Sequence, residues 1–189
     1  MDPPKLSDTP NRHPGYCLSI STKLIHTLTD ILTTNVSDGQ DNLVLSVGSG
    51  NGLLEAHLLN HLTSVPALHS RFTVQGVEVR TSPTATPVNK YLPEQNCTTV
   101  RGTWELCTLL STADSLLFVY PRDPGLVRRY LESRPASLRV VVWLGPRADW
   151  DVFGECFKGL DGFGNVDVVE GDDAGVAGFE MVAVVRRLG

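Results

Sequence analysis

Cysteine is sparse and scattered in this sequence. Cys17, Cys97, Cys107 and Cys156 form no C-x-x-C pair. That argues against a zinc site or a disulfide framework and for reduced thiols in an intracellular compartment. Long apolar runs are missing as well: no stretch approaches the roughly 20 residues that cross a bilayer. The first ten residues are polar and proline-rich and lack the apolar segment of a secretory leader. A cytoplasmic protein with no membrane partner is expected. Basic excess is also absent. The net charge of −5 disfavours a generic binder of phosphate backbones, so nucleic acid is not an expected partner. Familiar catalytic signatures are wanting: there is no G-x-x-x-x-G-K-[ST] loop, no G-x-S-x-G elbow and no tyrosine with a lysine four places on. His57 and His61 lie one helical turn apart without an H-E-x-x-H glutamate or a third ligand, so no metal is expected.

What is present is ordinary for a globular chain. At 189 residues, 41% hydrophobic and 20% charged, it can bury a substantial core as one domain. Pro3, Pro4, Pro10 and Pro14 mark residues 1–15 as a flexible arm, leaving 16–189 as a single domain. His13 and Tyr16 sit where such an arm can fold over a site, though nothing in the residues requires it.

The periodicities predict an amphipathic helix over 19–33, then an alternation of strands and helices. Strands are expected at 43–47, 72–78, 98–101, 115–120 and 138–144. Helices are expected at 53–62, 87–92 and 104–110, after Asp123-Pro124, and after a capping Asp149. Asp38-Gly39-Gln40-Asp41 reads as the turn into the first strand. The end of the chain breaks the pattern. Strands at 166–170 and 179–187 are separated by eight residues, too few for a parallel crossover, so they should pair antiparallel. The last strand should insert between 138–144 and 166–170.

The most informative stretch is Asn42-Leu43-Val44-Leu45-Ser46-Val47-Gly48-Ser49-Gly50-Asn51-Gly52-Leu53-Leu54-Glu55. A buried strand runs into three alternating glycines and then a helix, where backbone N–H groups can meet a ligand. A second strand ends in the lone acid Glu78, which can accept from both hydroxyls of a ribose. Together they point to a nucleoside-bearing cofactor. A dinucleotide fingerprint would need its third glycine where Leu53 stands, and Gly52 comes one place early.

The Gly-x-Gly-x-Gly pattern, followed by an acid closing the next strand, resembles the class I S-adenosylmethionine-dependent methyltransferases. The matching order of elements runs over roughly residues 43–188. The resemblance implies a Rossmann-like α/β fold: a doubly wound, mostly parallel seven-stranded sheet with a C-terminal antiparallel hairpin. It implies S-adenosylmethionine as cofactor, with Ser46, Gly48, Ser49, Gly50 and Gly52 in the loop around the methionine part. Glu78 would take the ribose, and Val79, Thr103 and Trp104 would surround the adenine. Trp104 reads equally well as core at a helix start. Two positions depart from the family pattern: Ser46 and Thr103 are neutral where an acid is common.

Tyr120, Arg122 and Asp123 close the fourth strand, where methyl acceptors approach in such proteins, and are candidates to position or deprotonate one. The plain reading makes Asp123 a helix cap, Pro121 a strand stop and Arg122 a solvated residue. Trp143 either walls the acceptor pocket or fills core. Arg122, Arg128 and Arg129 hint at an anionic acceptor, against the commoner reading of solvated arginines. The function implied is methyl transfer to a small molecule. The alternatives are a methyltransferase-like binding or scaffolding protein without activity and, disfavoured by Leu53, a nicotinamide-dependent oxidoreductase.

Overall fold

The β-branched run Val140-Val141-Val142 lies where such a run is most stable, inside a sheet covered on both faces. A computed structural model describes residues 1–34, 36, 39–80, 82 and 88–188. Asp38, and Pro87 at the start of an expected helix, lie outside the described residues. A short antiparallel ribbon, β1 (Asn11–Arg12) with β2 (Ser19–Ile20), leads into helix α1 (Thr22–Thr33). Residues 1–15, expected as a flexible arm, carry β1 and run alongside the domain, with Thr22 N donating to Ser7 O at 2.9 Å.

β3 (Asn42–Val47), β4 (Phe72–Val79), β5 (Cys97–Val100), β6 (Ser115–Val119) and β7 (Val140–Pro146) are mutually parallel. β8 (Asp167–Glu170) and β9 (Glu180–Arg186) complete a seven-stranded sheet in the order β5-β4-β3-β6-β7-β9-β8. β9 runs antiparallel to both β7 and β8, as the short connection predicted. That connection holds one helical turn, α5 (Gly171–Ala174), closed by Gly175 in the left-handed region at φ +78°.

Helices α1 and α2 (Leu53–Ser64) cover one face through Leu24, Leu28, Leu54, Leu58 and Leu62. The other face is covered by α3 (Pro124–Glu132) and α4 (Trp150–Phe153), packed on Phe118, Trp143 and Val141. Trp143 is fully buried there and fills core. The chain steps outward from β3 to β4 and β5, then returns to β6 on the other side of β3. The carboxyl ends of β3 and β6 therefore flank a crevice where open α/β sheets bind ligands.

Three expected helices are absent or shortened, each for a local reason. Residues 88–92 form bends. The Asn89 side chain accepts from Leu92 N (3.1 Å) and donates to Leu92 O (2.7 Å), replacing the backbone bonds of a helix. Around 104–110 the chain makes turns and then a 3₁₀ segment, Thr108–Thr112. Glu105 instead accepts from the backbone N–H of Arg101 at 2.6 Å, folding the start back on itself. After β7, a 3₁₀ turn (Arg147–Asp149) leads into α4, which tightens into a second 3₁₀ turn (Gly154–Phe157). Asp149 already has helical dihedrals and does not cap. The first expected helix begins later than Ser19, because Ser19 and Ile20 form β2 and Ser21 is the cap, accepting from Leu24 N at 3.1 Å.

The β8–β9 connection packs tightly on the start of α1. An added Cβ at Gly175 would stand 2.4 Å from Leu24 N and 2.8 Å from Lys23 C, both backbone atoms. Gly175→Ala is expected to destabilise the fold by about 2–4 kcal/mol, combining left-handed strain with overpacking. Denaturant titration checks this, and an unchanged midpoint would contradict the packing.

Candidate functional site

A cavity of about 430 Å³ opens at the carboxyl ends of β3, β4, β5 and β6. The three glycines that suggested it do not play one role. All are left-handed, at φ +81° (Gly48), +57° (Gly50) and +76° (Gly52). Added Cβ atoms at Gly48 and Gly50 would meet nothing within 4 Å, and both residues line the cavity. At Gly52 a Cβ would lie 2.4 Å from Asn89 Oδ1 and 2.9 Å from Leu92 Cβ. Gly52 therefore serves packing, while Gly48 and Gly50 leave room for something outside the protein. The loop is held from behind by Gly48 N and Ser49 N, which donate to Val77 O at 2.8 and 3.2 Å.

Glu78 reaches the loop. Its Oε2 accepts from Gly50 N at 2.8 Å and its Oε1 from Val79 N at 2.9 Å. Each oxygen keeps a second lone pair, so Glu78 both fixes the loop and offers acceptors to the cavity it lines. Val79 and Thr103 are also in the wall. Other residues predicted for the cofactor lie behind or beside it. Ser49 is buried against Gly76, and Ser46 is fully buried beneath the loop. Trp104 is 62% exposed, stacked by Arg101 at 5.2 Å, outside the wall.

Ser46 is not alone beneath the loop. Its hydroxyl donates to Glu55 Oε1 at 2.6 Å, so α2 returns a carboxyl group to the place where β3 lacks one. Glu55 is 1% exposed and its Oε2 has no hydrogen-bond partner among the described residues. Burial raises its pKa to about 7; the Ser46 bond opposes that shift and the nearby Glu78 charge adds to it. The sequence carried a signal that was missed: Glu55 shares the stripe of Leu58 and Leu62, an acid on the apolar face of a helix.

The segment Gly15–Tyr16–Cys17–Leu18 forms the opposite wall. Gly15 is left-handed at φ +74°, and its carbonyl accepts from Asn51 Nδ2 at 3.3 Å, tying the segment to the glycine loop. Tyr16 lines the cavity, and its buried hydroxyl lies by the Leu54 backbone without a well-formed hydrogen bond among the described residues. Burial first, and the neighbouring Glu55 second, hold that phenol well above its usual pKa. No motif announced this wall, since its contacts come from residues far apart in sequence.

Tyr120, Arg122 and Asp123 all line the cavity. Tyr120 adopts φ +47°, rare for a non-glycine residue. Its hydroxyl donates to Glu180 Oε1, and burial, then Glu180, push its pKa upward. It is therefore a poor base. Asp123 caps α3 through Gly125 N at 2.8 Å and meets Arg129 at 3.4 Å. Arg129 also donates to Thr103 O at 2.8 Å. Arg122 is exposed on the cavity wall, and Arg128 is exposed outside it. His61 stacks against His26 at 4.9 Å, and among the described residues no three potential ligands converge on a metal position. Among them, too, no helix is long and apolar enough to cross a membrane.

No protein-family model matches this chain, and no curated protein matches its sequence. Solved structures do. The precorrin-6y C5,15-methyltransferase of Geobacter metallireducens aligns with a TM-score of 0.55 at 10% identity, over 98% of this chain and 100% of that one. A Thermoplasma acidophilum protein aligns with a TM-score of 0.52 at 14% identity, over 97% and 92%. The release factor-specific protein-(glutamine-N5) methyltransferase of Alicyclobacillus acidocaldarius gives 0.50 at 17%, over 88% and 90%. The chain has the class I methyltransferase fold.

Two stability measurements test the site. Gly50→Asn, with a residue that tolerates the left-handed region, should cost less than about 1 kcal/mol. Gly52→Ala should cost about 2–4 kcal/mol because Leu92 and Asn89 must move. Equal losses would refute the division of roles. The second test concerns Glu55. Its pKa is raised from 4.5 to about 7, so the folded chain holds a proton in that window that the unfolded chain has lost. Stability tied to this group therefore falls as pH rises through the window, by at most on the order of 3 kcal/mol. Thermal melts from pH 5 to 8 should show that decline in the parent relative to Glu55→Gln; parallel curves would contradict it.

Proposed function

We propose that this protein binds S-adenosylmethionine and transfers its methyl group to a nucleophile on a small molecule. One observation carries the cofactor reading: Gly48 and Gly50 face an open cavity that their missing Cβ atoms enlarge, with Glu78 beside them offering free acceptors. The cavity's volume of about 430 Å³ lies within the range of small-ligand sites. In this reading the open backbone at Gly48 and Gly50 lies against the amino-acid part, the remaining lone pairs of Glu78 accept from the ribose, and Val79 and Thr103 border the base. When bound, the cofactor supplies a methyl group already made electrophilic by its sulfonium. The protein's task is then to orient the acceptor and exclude water.

Acceptors named for proteins of this fold range from a precorrin to a release-factor glutamine, so the fold does not choose among them. The small-molecule reading is supported by the size of the cavity, about 430 Å³. A second reading, a binding or scaffolding protein that keeps the fold without chemistry, is favoured by the acceptor edge. Both polar candidates there, Tyr120 and Asp123, are engaged in internal hydrogen bonds.

Calorimetric titration with S-adenosylmethionine, S-adenosylhomocysteine and NAD separates the classes, and preference for NAD would reject the proposal. Glu78→Ala should weaken S-adenosylhomocysteine binding at least about tenfold, through lost ribose bonds and a loosened Gly50. Glu78→Gln should weaken it less, since its amide oxygen still accepts. Gly50→Asn should lose binding while staying folded. Indistinguishable affinities across these variants would remove the loop from the site.

A further inference from the structure

Residues 2–6 lie across α1 and α2 and close a second cavity, of about 540 Å³, that shares no lining residue with the first. Asp2, Pro4 and Lys5 meet His26 of α1 and His57 and His61 of α2 around it. Three of the chain's five histidines thus gather under one short segment. That segment is held by few contacts. Leu6 packs against the core, and the Ser7 carbonyl accepts from Thr22 N at 2.9 Å and from the Thr22 hydroxyl at 3.3 Å. The first of these bonds satisfies one of the free N–H groups at the start of α1.

The rings are placed for the neutral state. His57 Nε2 is buried without a hydrogen-bond partner among the described residues. A neutral imidazole can leave that nitrogen as an unused acceptor, whereas the imidazolium puts an N–H there with nothing to receive it. Burial, then His13 farther along the arm, lower the pKa of His57, against the Pro4 carbonyl, which favours the charged ring. His61 and His26 stack with their centroids 4.9 Å apart, so charging both sets like charges in contact. Burial and then His26 lower the pKa of His61, against Asp30 of α1. Asp2 and Lys5 add one charge of each sign to the cavity wall.

We propose that residues 2–7 form a strap latched over this histidine cluster, and that protonation of His57 and His61 by solvent releases it from α1 and α2. Docked, both rings titrate below the ordinary 6.5 that they regain on release. The released form therefore binds more protons below 6.5. Docking is at full strength above that value and weakens as pH falls through it. The strap leads through β1 into the wall segment at 15–18, and Ser19 just beyond keeps its own anchor on Glu180. Acid thus frees residues 2–7 and uncovers one end of α1 and α2 while the sheet stays folded.

The test is NMR on the full chain, reading amide hydrogen exchange and the imidazole titrations together. The Thr22 N–H reports docking directly, because Ser7 O is its acceptor. Its protection factor should fall from pH 7.5 to pH 5.5 by up to about tenfold for each histidine that gains a proton on release, while the amides of β3 and β6 stay protected. His57 and His61 should titrate below 6.5 in the parent. In His57→Gln, which is neutral throughout, the decline at Thr22 should be smaller. Leu6→Ala, which loosens the strap without touching a histidine, should speed Thr22 exchange at every pH and move the His57 titration up towards 6.5. A His57 buried by α2 alone would not show that shift. Constant Thr22 protection across the range, a parent His57 titrating at or above 6.5, or a His57 unmoved by Leu6→Ala would overturn the proposal. So would loss of the β3 and β6 amides together with Thr22, since that is global unfolding rather than release.

Discussion

The carboxyl group of Glu180 is the constraint on which the site's architecture depends. It is fully buried at the start of β9, where an unsatisfied carboxyl would cost several kcal/mol. No arginine or lysine is paired with it among the described residues; hydrogen-bond donors satisfy it instead. Ser19 gives its backbone N–H at 3.2 Å and its hydroxyl, Ala177 gives its N–H at 3.1 Å, and Tyr120 gives its phenol. These donors come from the N-terminal ribbon, the β8–β9 connection and the end of β6. The carboxyl group is satisfied only when all three converge. That requirement fixes the wall segment beside the cavity and helps to hold Tyr120 in its left-handed conformation.

The sheet was legible because its signals are local. Apolar runs of four to seven residues, glycine punctuation and the short 171–178 connection locate the strands and the antiparallel pair, while the strand order came with the resemblance. The antiparallel pairing of β8 and β9 followed from the eight-residue connection, and the place of β9 beside β7 is what the resemblance implied. The helices after β4, β5 and β7 were less legible, because side chains there outcompete the backbone. Asn89 and Glu105 capture nearby main-chain groups, and no hydrophobic period records that competition. Where helix-start chemistry was simple, as at Asp123-Pro124, the reading and the structure agree, with Asp123 accepting from Gly125 N.

Within the site, the same rule divides what could be seen. Gly48, Gly50 and Glu78 stand at consecutive strand ends, so spacing alone brings them to one crevice. Tyr16, Glu55 and Glu180 could not be placed that way. The Ser19–Glu180 contact joins residues 161 positions apart, and Tyr16 enters by a segment with no regular structure. Glu55 was within reach, as an acid on a leucine stripe. Ser46 had drawn attention as a missing charge, and the structure supplies a carboxyl group beside it from the first turn of α2, nine residues downstream.

Buried polar atoms without a partner among the described residues occur at several places in this fold. Ser115 Oγ and Trp143 Nε1 are orphaned deep in the sheet, where a strand or an indole simply finds no partner. Tyr16 Oη differs in belonging to a residue of the cavity wall, and Glu55 Oε2 in belonging to a carboxyl group that Ser46 already bonds. The acceptor edge shows the reverse: Tyr120 and Asp123 line the cavity with their polar atoms already bonded. On the loop side, Glu78 keeps lone pairs that face the cavity. A protein that must generate its own nucleophile would be expected to keep a free base at the acceptor edge. One whose reactive group arrives preactivated needs strong, oriented binding of that group and a shaped wall opposite it. The proposed methyl transfer is a reaction of the second kind.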